Sequence, residues 1–128
     1  MKKATLEELI ARSQQAQNDK LITKDIELKP LNLVLTVRKI PIARALRIID
    51  SNQGEGVIAK FELYKQLIYE CVPLFQNEKL QQAYDCAEPT DIVAKVLQDN
   101  INLIGLVGDE ICKFYGFDDG KAVDELKN

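Results

Sequence analysis

The four prolines of this chain limit where its helices and strands can begin and end. Proline suits the first turn of a helix but disrupts a helix interior, and the residue before it avoids the helical conformation. Pro41, Pro73 and Pro89 each adjoin a segment in which apolar residues recur at spacings of three and four. These segments are therefore predicted to be separate amphipathic helices.

Two of these helices lie between Pro41 and Pro73. Pro41 suits the first turn of the earlier helix, which ends at the polar, glycine-containing stretch 50–56. The later helix is predicted to run from Val57 to Val72, because its apolar residues keep an i, i+3, i+4, i+7 spacing until proline stops it. Those apolar residues are Val57, Ile58, Phe61, Tyr64, Leu67, Ile68, Cys71 and Val72.

The stretch after Pro73 is also predicted to be helical. Asn77 can cap a brief helix, and Thr90 can cap a longer one that begins near Asp91. The proline-free stretch 91–115 is apolar around well over half of its circumference, which predicts a central position. Because Asn and Asp compete for backbone hydrogen bonds, the polar segment 98–100 can instead divide this stretch into two helices. Both alternatives stay open.

Two glycines and a final short segment complete the C-terminal half. Gly105 and Gly108 weaken a helix and are tolerated mainly where another backbone approaches, which favours tight helix packing over a ligand site. Beyond residue 116, Asp118 can cap a last helix. The apolar positions of that helix are Ala122, Val123 and Leu126.

Residues 24–39 alternate apolar and polar side chains, which is the pattern of half-buried strands. Pro30 cannot donate to a strand ladder, so it marks a turn at 29–32 between two strands. A hairpin by itself is marginally stable in water, so this one is expected to pack on the helices.

A short helix is predicted before the hairpin, from about residue 6 to residue 17. Thr5 and Glu8 form a capping-box pair at its start. Its apolar residues share one face and are Leu6, Leu9 and Ile10. The polar remainder offers little to bury, so two interpretations stay open: a helix held on the core by these three side chains, or a loosely held, mobile arm.

Together these elements predict a mainly α protein. A chain of 128 residues fits one domain. The predicted architecture is a single-domain helical bundle of about five or six helices with a small N-terminal β-hairpin at roughly residues 24–39. Residues 1–20 contain the N-terminal helix, and residues 21–128 form the globular domain that includes the hairpin.

The residue types of the chain argue against catalysis. Histidine, whose ordinary pKa lies nearest neutrality and which is the commonest metal ligand, is missing from the sequence. The three cysteines, Cys71, Cys86 and Cys112, are widely spaced and are predicted to be reduced packing residues. No catalytic residue, metal site or cofactor is predicted, and the expected function is protein binding.

Charge and hydropathy narrow the class of partner. A net charge of −3 without a long basic run removes the electrostatic basis for binding nucleic acid or anionic lipid. The apolar runs are far shorter than the ~20 residues that span a bilayer, and the N-terminus has no apolar signal core. We therefore expect no nucleic-acid or membrane partner and a cytoplasmic location.

Several blocks of the sequence carry a family pattern. The first runs from Leu67 to Leu74 and continues with Leu80 and Tyr84, and the second is Glu-Pro-Thr-Asp-Ile-Val at 88–93. Later positions that fit in the same order are Ile101, Ile104, Tyr115, Gly116, Phe117, Val123, Leu126, Lys127 and Asn128. With its Leu-Glu-Glu-Leu start and its hairpin ending at 37–41, the chain resembles the XkdN-like tail assembly chaperones of phages and prophages of Gram-positive bacteria.

The resemblance implies a cytoplasmic assembly factor that coats the tape measure protein before tail tube subunits polymerise around it. Such a factor is absent from the mature virion. In several such systems a ribosomal frameshift yields a longer product that recruits the major tail tube protein. The rival interpretations are a small structural adaptor or completion protein of the tail, and a regulatory protein-binding module.

The partner-binding surface is hypothesised from apolar helix faces. The apolar arcs of 57–72 and 91–115 exceed what one neighbouring element can cover, which predicts an exposed groove for a helical partner. The N-terminal helix is a second candidate, as an arm that docks on a neighbouring copy in a homo-oligomer. The candidate partner-binding residues are Leu6, Leu9, Ile10, Phe61, Tyr64, Ile68, Ile101 and Leu106.

Overall fold

The structure is a computed structural model that describes residues 1–19 and 23–116. Its elements in chain order are α1 (Leu6–Asp19), β1 (Thr23–Leu28), β2 (Leu33–Arg38), α2 (Ile42–Ser51), α3 (Val57–Cys71), α4 (Glu78–Ala83), α5 (Ile92–Val96) and α6 (Ile101–Phe114). The predicted mainly α fold with a small hairpin is confirmed, with six α-helices among the described residues. The last helix predicted around Ala122, Val123 and Leu126, with its cap Asp118, lies outside the described residues.

The hairpin forms where the alternating pattern predicts it. β1 and β2 pair antiparallel, with Ile26 opposite Leu35. The side chains of Leu28 and Val37 are buried with this pair, while their neighbours in sequence are more exposed. Lys29–Leu31 make a short 3₁₀ turn, and Asn32 then takes a left-handed conformation with φ of 53° that reverses the chain. The apolar face of the hairpin therefore belongs to the core.

The core surrounds α3. This helix makes its most extensive contacts with α6 and also contacts α2, α5 and β2. The fully buried large side chains of the described chain come from nearly every element around it: Leu28, Val37, Ile48, Leu63, Leu67, Ile68, Val72, Phe75, Ile92, Val93, Leu97 and Ile111. Burial of this set removes apolar surface from water, which is the main stabilising term for a domain of this size.

Of the two alternatives that the sequence leaves open for the stretch 91–115, the structure shows two helices, α5 and α6. Gln98 and Asp99 have left-handed φ values of 57° and 54°, which end the helical path. The Asn100 side-chain oxygen then accepts hydrogen bonds from the amides of Asn102, at 3.0 Å, and Leu103, at 3.2 Å. Asn100 is thereby the N-cap of α6.

One predicted cap is wrong. Thr90 lies inside the 3₁₀ turn Pro89–Asp91 and does not cap α5. The Glu88 amide instead donates to Asp91 Oδ2 at 3.0 Å. Proline at the first position of the turn starts the helical path two residues earlier than expected, so Glu88 is the N-cap and Asp91, at the end of the turn, bonds back to it.

Polar contacts tie the peripheral elements to the helical core. Lys24 Nζ of β1 lies 2.5 Å from Glu110 Oε2 of α6. The Tyr115 hydroxyl accepts from the Ile40 amide at 2.6 Å and donates to the Ile40 carbonyl at 2.7 Å. These contacts fix the hairpin and the segment after it against the C-terminal end of α6, leaving the N-terminal end of α6 to face another part of the surface.

In the described part of the chain, no helix combines the length and apolar character of a membrane span.

Candidate functional site

The middle of α3 packs tightly on the middle of α6. A Cβ atom on Gly108 would lie 2.2 Å from Tyr64 Cδ2, so the glycine makes room for the tyrosine ring. The Tyr64 hydroxyl donates to Asp109 Oδ1 at 2.5 Å. Burial, and then this hydrogen bond, raises the pKa of Tyr64 well above its ordinary value of 10.0. The prediction of tight helix packing is confirmed at Gly108.

An open apolar groove of about 230 Å³ continues from this contact toward the start of both helices. Its lining residues are Val57, Lys60, Phe61, Tyr64, Ile101, Ile104 and Gly105. Residues from the N-terminal halves of both helices line it, and Tyr64 meets Gly108 further along both, so α3 and α6 run in the same direction. We call this feature the α3/α6 groove.

Gly105 keeps the groove open. A Cβ atom at this position would meet nothing within 4 Å, so tight packing does not account for this glycine as it does for Gly108. The missing side chain leaves space at which another backbone can approach closely. Val57 and Ile101 flank this space and are 75% and 55% exposed. Large apolar side chains held in water beside an open groove are typical of interaction surfaces.

The structure brings three of the sequence-predicted site residues to the groove. Phe61, Tyr64 and Ile101 line it, whereas Leu106 lies partly exposed on α6 outside it. Ile68 is fully buried in the core, so its side chain offers no accessible surface in this structure. Helical spacing identifies an apolar face, but it does not show which part of that face is covered by neighbouring elements. On α3 the covered part is the C-terminal half.

Sequence reasoning missed four lining residues: Val57, Lys60, Ile104 and Gly105. Val57 and Ile104 belong to the apolar helical runs, but periodicity does not distinguish them from the other apolar residues of those runs. The sequence predicts a packing role for Gly105. Its position three residues before Gly108 indicates that both glycines lie on the α3 side of α6, which is the signal that could have linked it to the groove.

The apolar face of α1 is exposed. The side chains of Leu6, Leu9 and Ile10 are 71%, 55% and 56% exposed, so they add little to the core in this structure. The Glu8 amide donates to the Thr5 hydroxyl at 3.2 Å, which is the capping contact expected at the start of this helix. We call the three apolar residues the α1 face.

A second depression, of about 430 Å³, is polar. Arg44 forms an ion pair across it with Glu70, with Nε 2.8 Å from Oε1 and Nη2 2.6 Å from Oε2. This pair joins α2 to α3, and the hydrogen bond to Glu70 raises the pKa of Arg44. Arg38 Nε, also at this depression, is buried and has no hydrogen-bond partner among the described residues. The Arg44–Glu70 pair gives this depression a structural role.

Reactive groups in the described residues have environments that suit packing. Cys71 is buried, and burial raises the pKa of its thiol to about 11, so the thiol is protonated at neutral pH and is a weak nucleophile. No group of three or more His, Cys, Asp or Glu side chains in residues 1–19 and 23–116 is arranged to hold a metal ion. The most distinctive surface of the described chain is therefore the α3/α6 groove.

No protein-family model, curated protein or solved structure matches this chain.

Proposed function

We propose that this protein is a phage tail assembly chaperone that holds apolar helical segments of a tape measure protein in the α3/α6 groove. The observation that carries the proposal is the groove itself, with Phe61 and the exposed Val57 and Ile101 beside the open space at Gly105. The resemblance to XkdN-like chaperones in the blocks at 67–74 and 88–93 supports the same function.

The chemistry of the groove matches a helical apolar ligand. A helix that carries apolar residues at i, i+3 and i+4 can place them between two parallel helices, where they displace water from apolar walls. Gly105 lets the ligand backbone approach α6 without meeting a side chain. Binding is proposed to need no cofactor and no catalytic step.

Weak binding at each groove suits a temporary coat. Many copies along one long tape measure protein would add their affinities by multivalency, while each single contact stays easy to break when tube subunits arrive. On this proposal the protein acts in the cytoplasm of the bacterial host and leaves before the virion is complete. A longer frameshifted product would bring the major tail tube protein to the same site.

Co-expression tests the proposal directly. We expect the tape measure protein encoded just downstream to become soluble and to co-purify when this chain is produced with it. Ile101→Glu places a charge in the groove and is expected to weaken binding by about tenfold or more. Ile42→Glu is the matched control, because Ile42 is similarly exposed, at 51% against 55%, but lies on α2 outside the groove.

Two results would contradict the proposal. One is a tape measure protein that aggregates as much with the chain as without it. The other is an Ile101→Glu variant that keeps the partner soluble as well as the Ile42→Glu variant does. Mass spectrometry of purified tails distinguishes a chaperone from a structural adaptor. A structural component persists in finished tails at a fixed ratio, and a chaperone does not.

A further inference from the structure

The polar depression between α2 and α3 brings together side chains from five parts of the fold. They come from the end of β2, from α2, from α3 and from two 3₁₀ turns, Pro73–Gln76 and Pro89–Asp91. The lining side chains that carry charge or a hydroxyl group are Arg38, Arg44, Tyr69, Glu70 and Thr90. We call this feature the Arg38 depression.

Arg38 lacks the partners that a buried guanidinium ordinarily has. Its Nε atom is buried without a hydrogen-bond partner, and its guanidinium forms no ion pair with a carboxylate of residues 1–19 and 23–116. A buried charged donor that stays unsatisfied costs stability, so native structures rarely contain one. Arg38 pairs with Thr23 in the hairpin, and the preceding Val37 is fully buried, so the backbone of Arg38 is held in place beside the depression.

The lining of the depression carries one more positive charge than negative charge. Its charged residues are two arginines, Arg38 and Arg44, and one carboxylate, Glu70. Arg44 binds Glu70 through both Nε, at 2.8 Å, and Nη2, at 2.6 Å. Because this pair neutralises itself, the charge of Arg38 is left without a counterpart among the described residues that line the depression.

The carboxylates that adjoin the depression in sequence do not change this balance. Glu62, one turn before the lining residues of α3, pairs with Lys65 at 2.9 Å. Glu88 and Asp91 form a reciprocal capping box with the backbone of their own turn. None of these three carboxylates lines the depression.

Two neutral donors also lie in the Arg38 depression. The Tyr69 hydroxyl oxygen is 3.5 Å from Gln81 Nε2, which donates to it, and the hydroxyl proton has no acceptor among the described residues. The Thr90 hydroxyl forms no hydrogen bond with the described part of the chain. Unused donors therefore surround the unpartnered arginine, which is the arrangement that an anion requires.

We propose that the Arg38 depression binds a single carboxylate group, supplied by an acidic side chain of a peptide or by a small carboxylic acid. A carboxylate accepts two parallel hydrogen bonds from the Nε–Nη edge of a guanidinium, which is the edge left without a partner at Nε. Its single charge matches that of Arg38. A phosphate dianion matches less well, because Glu70 lies in the same depression and repels a second negative charge. This inference concerns the chain alone and does not rest on the proposed function.

Nuclear magnetic resonance observes the unpartnered atom directly, because each arginine Nε–Hε group gives its own signal in a ¹H–¹⁵N spectrum. The chain has four arginines, Arg12, Arg38, Arg44 and Arg47, and replacing each by lysine assigns its signal. The probes are the capped tripeptide Ala-Glu-Ala, its counterpart Ala-Gln-Ala, sodium acetate and inorganic phosphate. All titrations are made at one ionic strength, so that general screening stays constant.

The glutamate tripeptide is expected to shift the Arg38 signal and to bind about tenfold or more tightly than the glutamine tripeptide, because a charged acceptor strengthens the hydrogen bonds. Acetate distinguishes the two sources of the carboxylate. Acetate that binds as tightly as the glutamate tripeptide supports a small carboxylic acid as the ligand, and a tripeptide that binds more tightly supports an acidic side chain.

Three variants locate the binding in the Arg38 depression. Arg38→Gln removes the charge and is expected to abolish binding of the glutamate tripeptide. Tyr69→Phe removes one hydroxyl group while keeping the ring and the arginine, and is expected to weaken binding by about threefold. Arg47→Gln is the matched control, because Arg47 is an exposed arginine of α2 outside the depression, and it should bind like the unmodified chain. Circular dichroism checks that each variant is folded.

Several results would overturn the proposal. Equal binding of the glutamate and glutamine tripeptides would show that the carboxylate is not what is recognised. Equal shifts of the Arg12, Arg38 and Arg47 signals would indicate general charge screening. Phosphate that binds more tightly than acetate would contradict a site for one negative charge. The comparison of probes uses the unmodified chain, so it decides the proposal even if Arg38→Gln does not fold.

Discussion

Gly105 and Gly108 are nearly one helical turn apart on α6, yet their surroundings are opposite. Gly108 faces the Tyr64 ring at a distance that excludes any Cβ atom, while a Cβ atom on Gly105 would meet nothing within 4 Å. One glycine is required by packing and the other leaves a groove. Gly108 therefore has a packing role inside the fold, whereas Gly105 shapes an exposed surface.

Alanine at these two positions is predicted to have effects of opposite sign. Gly108→Ala should lower the free energy of unfolding by about 1–3 kcal/mol, because the tyrosine ring or α6 must shift. Gly105→Ala should raise it by up to about 1 kcal/mol, because alanine favours the helix and nothing obstructs it. Urea unfolding followed by circular dichroism measures both. Equal effects of the two substitutions would contradict the packing described for α3 and α6.

The Lys24–Glu110 ion pair predicts a pH dependence of stability. The hydrogen bond from Lys24 holds the pKa of Glu110 below its ordinary value of 4.5. A carboxyl group whose pKa is lowered in the folded chain stabilises the fold when the pH is above the ordinary pKa. This stabilisation is lost as the pH falls through the pKa of the folded chain. Acid should therefore weaken the attachment of β1 to α6.

Glu110→Gln removes the ion pairs with Lys24 and Lys113 and is expected to lower the free energy of unfolding by about 0.5–1 kcal/mol at neutral pH, since both pairs are partly exposed. The difference from the unmodified chain should shrink as the pH falls below 4.5. Urea titrations at several pH values measure this. Glu62→Gln, which removes the pair with Lys65 on α3 alone, is the control and should cost about 0.3–0.5 kcal/mol. A pH-independent difference for Glu110→Gln would count against the ion pair.

At the scale of elements, most of the fold is predictable because each element is bounded by a local signal. Pro41 and Pro73 limit α2 and α3, Asn77 caps α4, and period-two alternation identifies the hairpin. The break between α5 and α6 has a weaker local signal. Gln98 and Asp99 are left-handed although neither is glycine, and in this conformation their amides donate to the carbonyls of Lys95, at 3.2 Å, and Ala94, at 2.8 Å, which ends α5.

The N-cap of α6 can be tested with a matched pair of asparagines. Asn100→Ala removes the side-chain oxygen that accepts from the amides of Asn102 and Leu103, and should lower the free energy of unfolding by about 1 kcal/mol. Asn102→Ala changes the same residue type at an exposed position inside the helix, and should be neutral or slightly stabilising. Thermal unfolding distinguishes them. A larger loss from Asn102→Ala would show that the cap is misassigned.

The groove was less predictable than the helices that form it. Apolar periodicity predicts Phe61 and Ile101 as binding residues, but it equally predicts Ile68, which the core covers completely. Which part of an apolar face stays exposed depends on where neighbouring elements end, and that is a property of the tertiary arrangement. The hairpin, α2 and α5 lie against α3 and leave its first turns uncovered at Val57 and Ile58.

At the scale of the whole molecule, the buried core draws on β1, β2 and every helix from α2 to α6 except α4, while the α1 face remains exposed. A variant that lacks residues 1–19 is therefore predicted to keep the free energy of unfolding of the full chain within about 0.5 kcal/mol. Urea unfolding followed by circular dichroism provides the measurement. A large loss of cooperativity on this truncation would show that α1 is part of the folding unit.

The packing of α6 can be followed by the ultraviolet absorbance of tyrosine. The chain contains four tyrosines and no tryptophan. Two of the tyrosine hydroxyls, those of Tyr64 and Tyr115, are bonded where α6 meets α3 and Ile40, and burial raises the pKa of both above 10.0. Their neutral forms therefore stabilise the fold below that pH, and this stabilisation is lost as the pH rises above it. An alkaline titration that follows the ultraviolet absorbance of tyrosinate therefore reports, without a label, whether α6 is still packed in the fold.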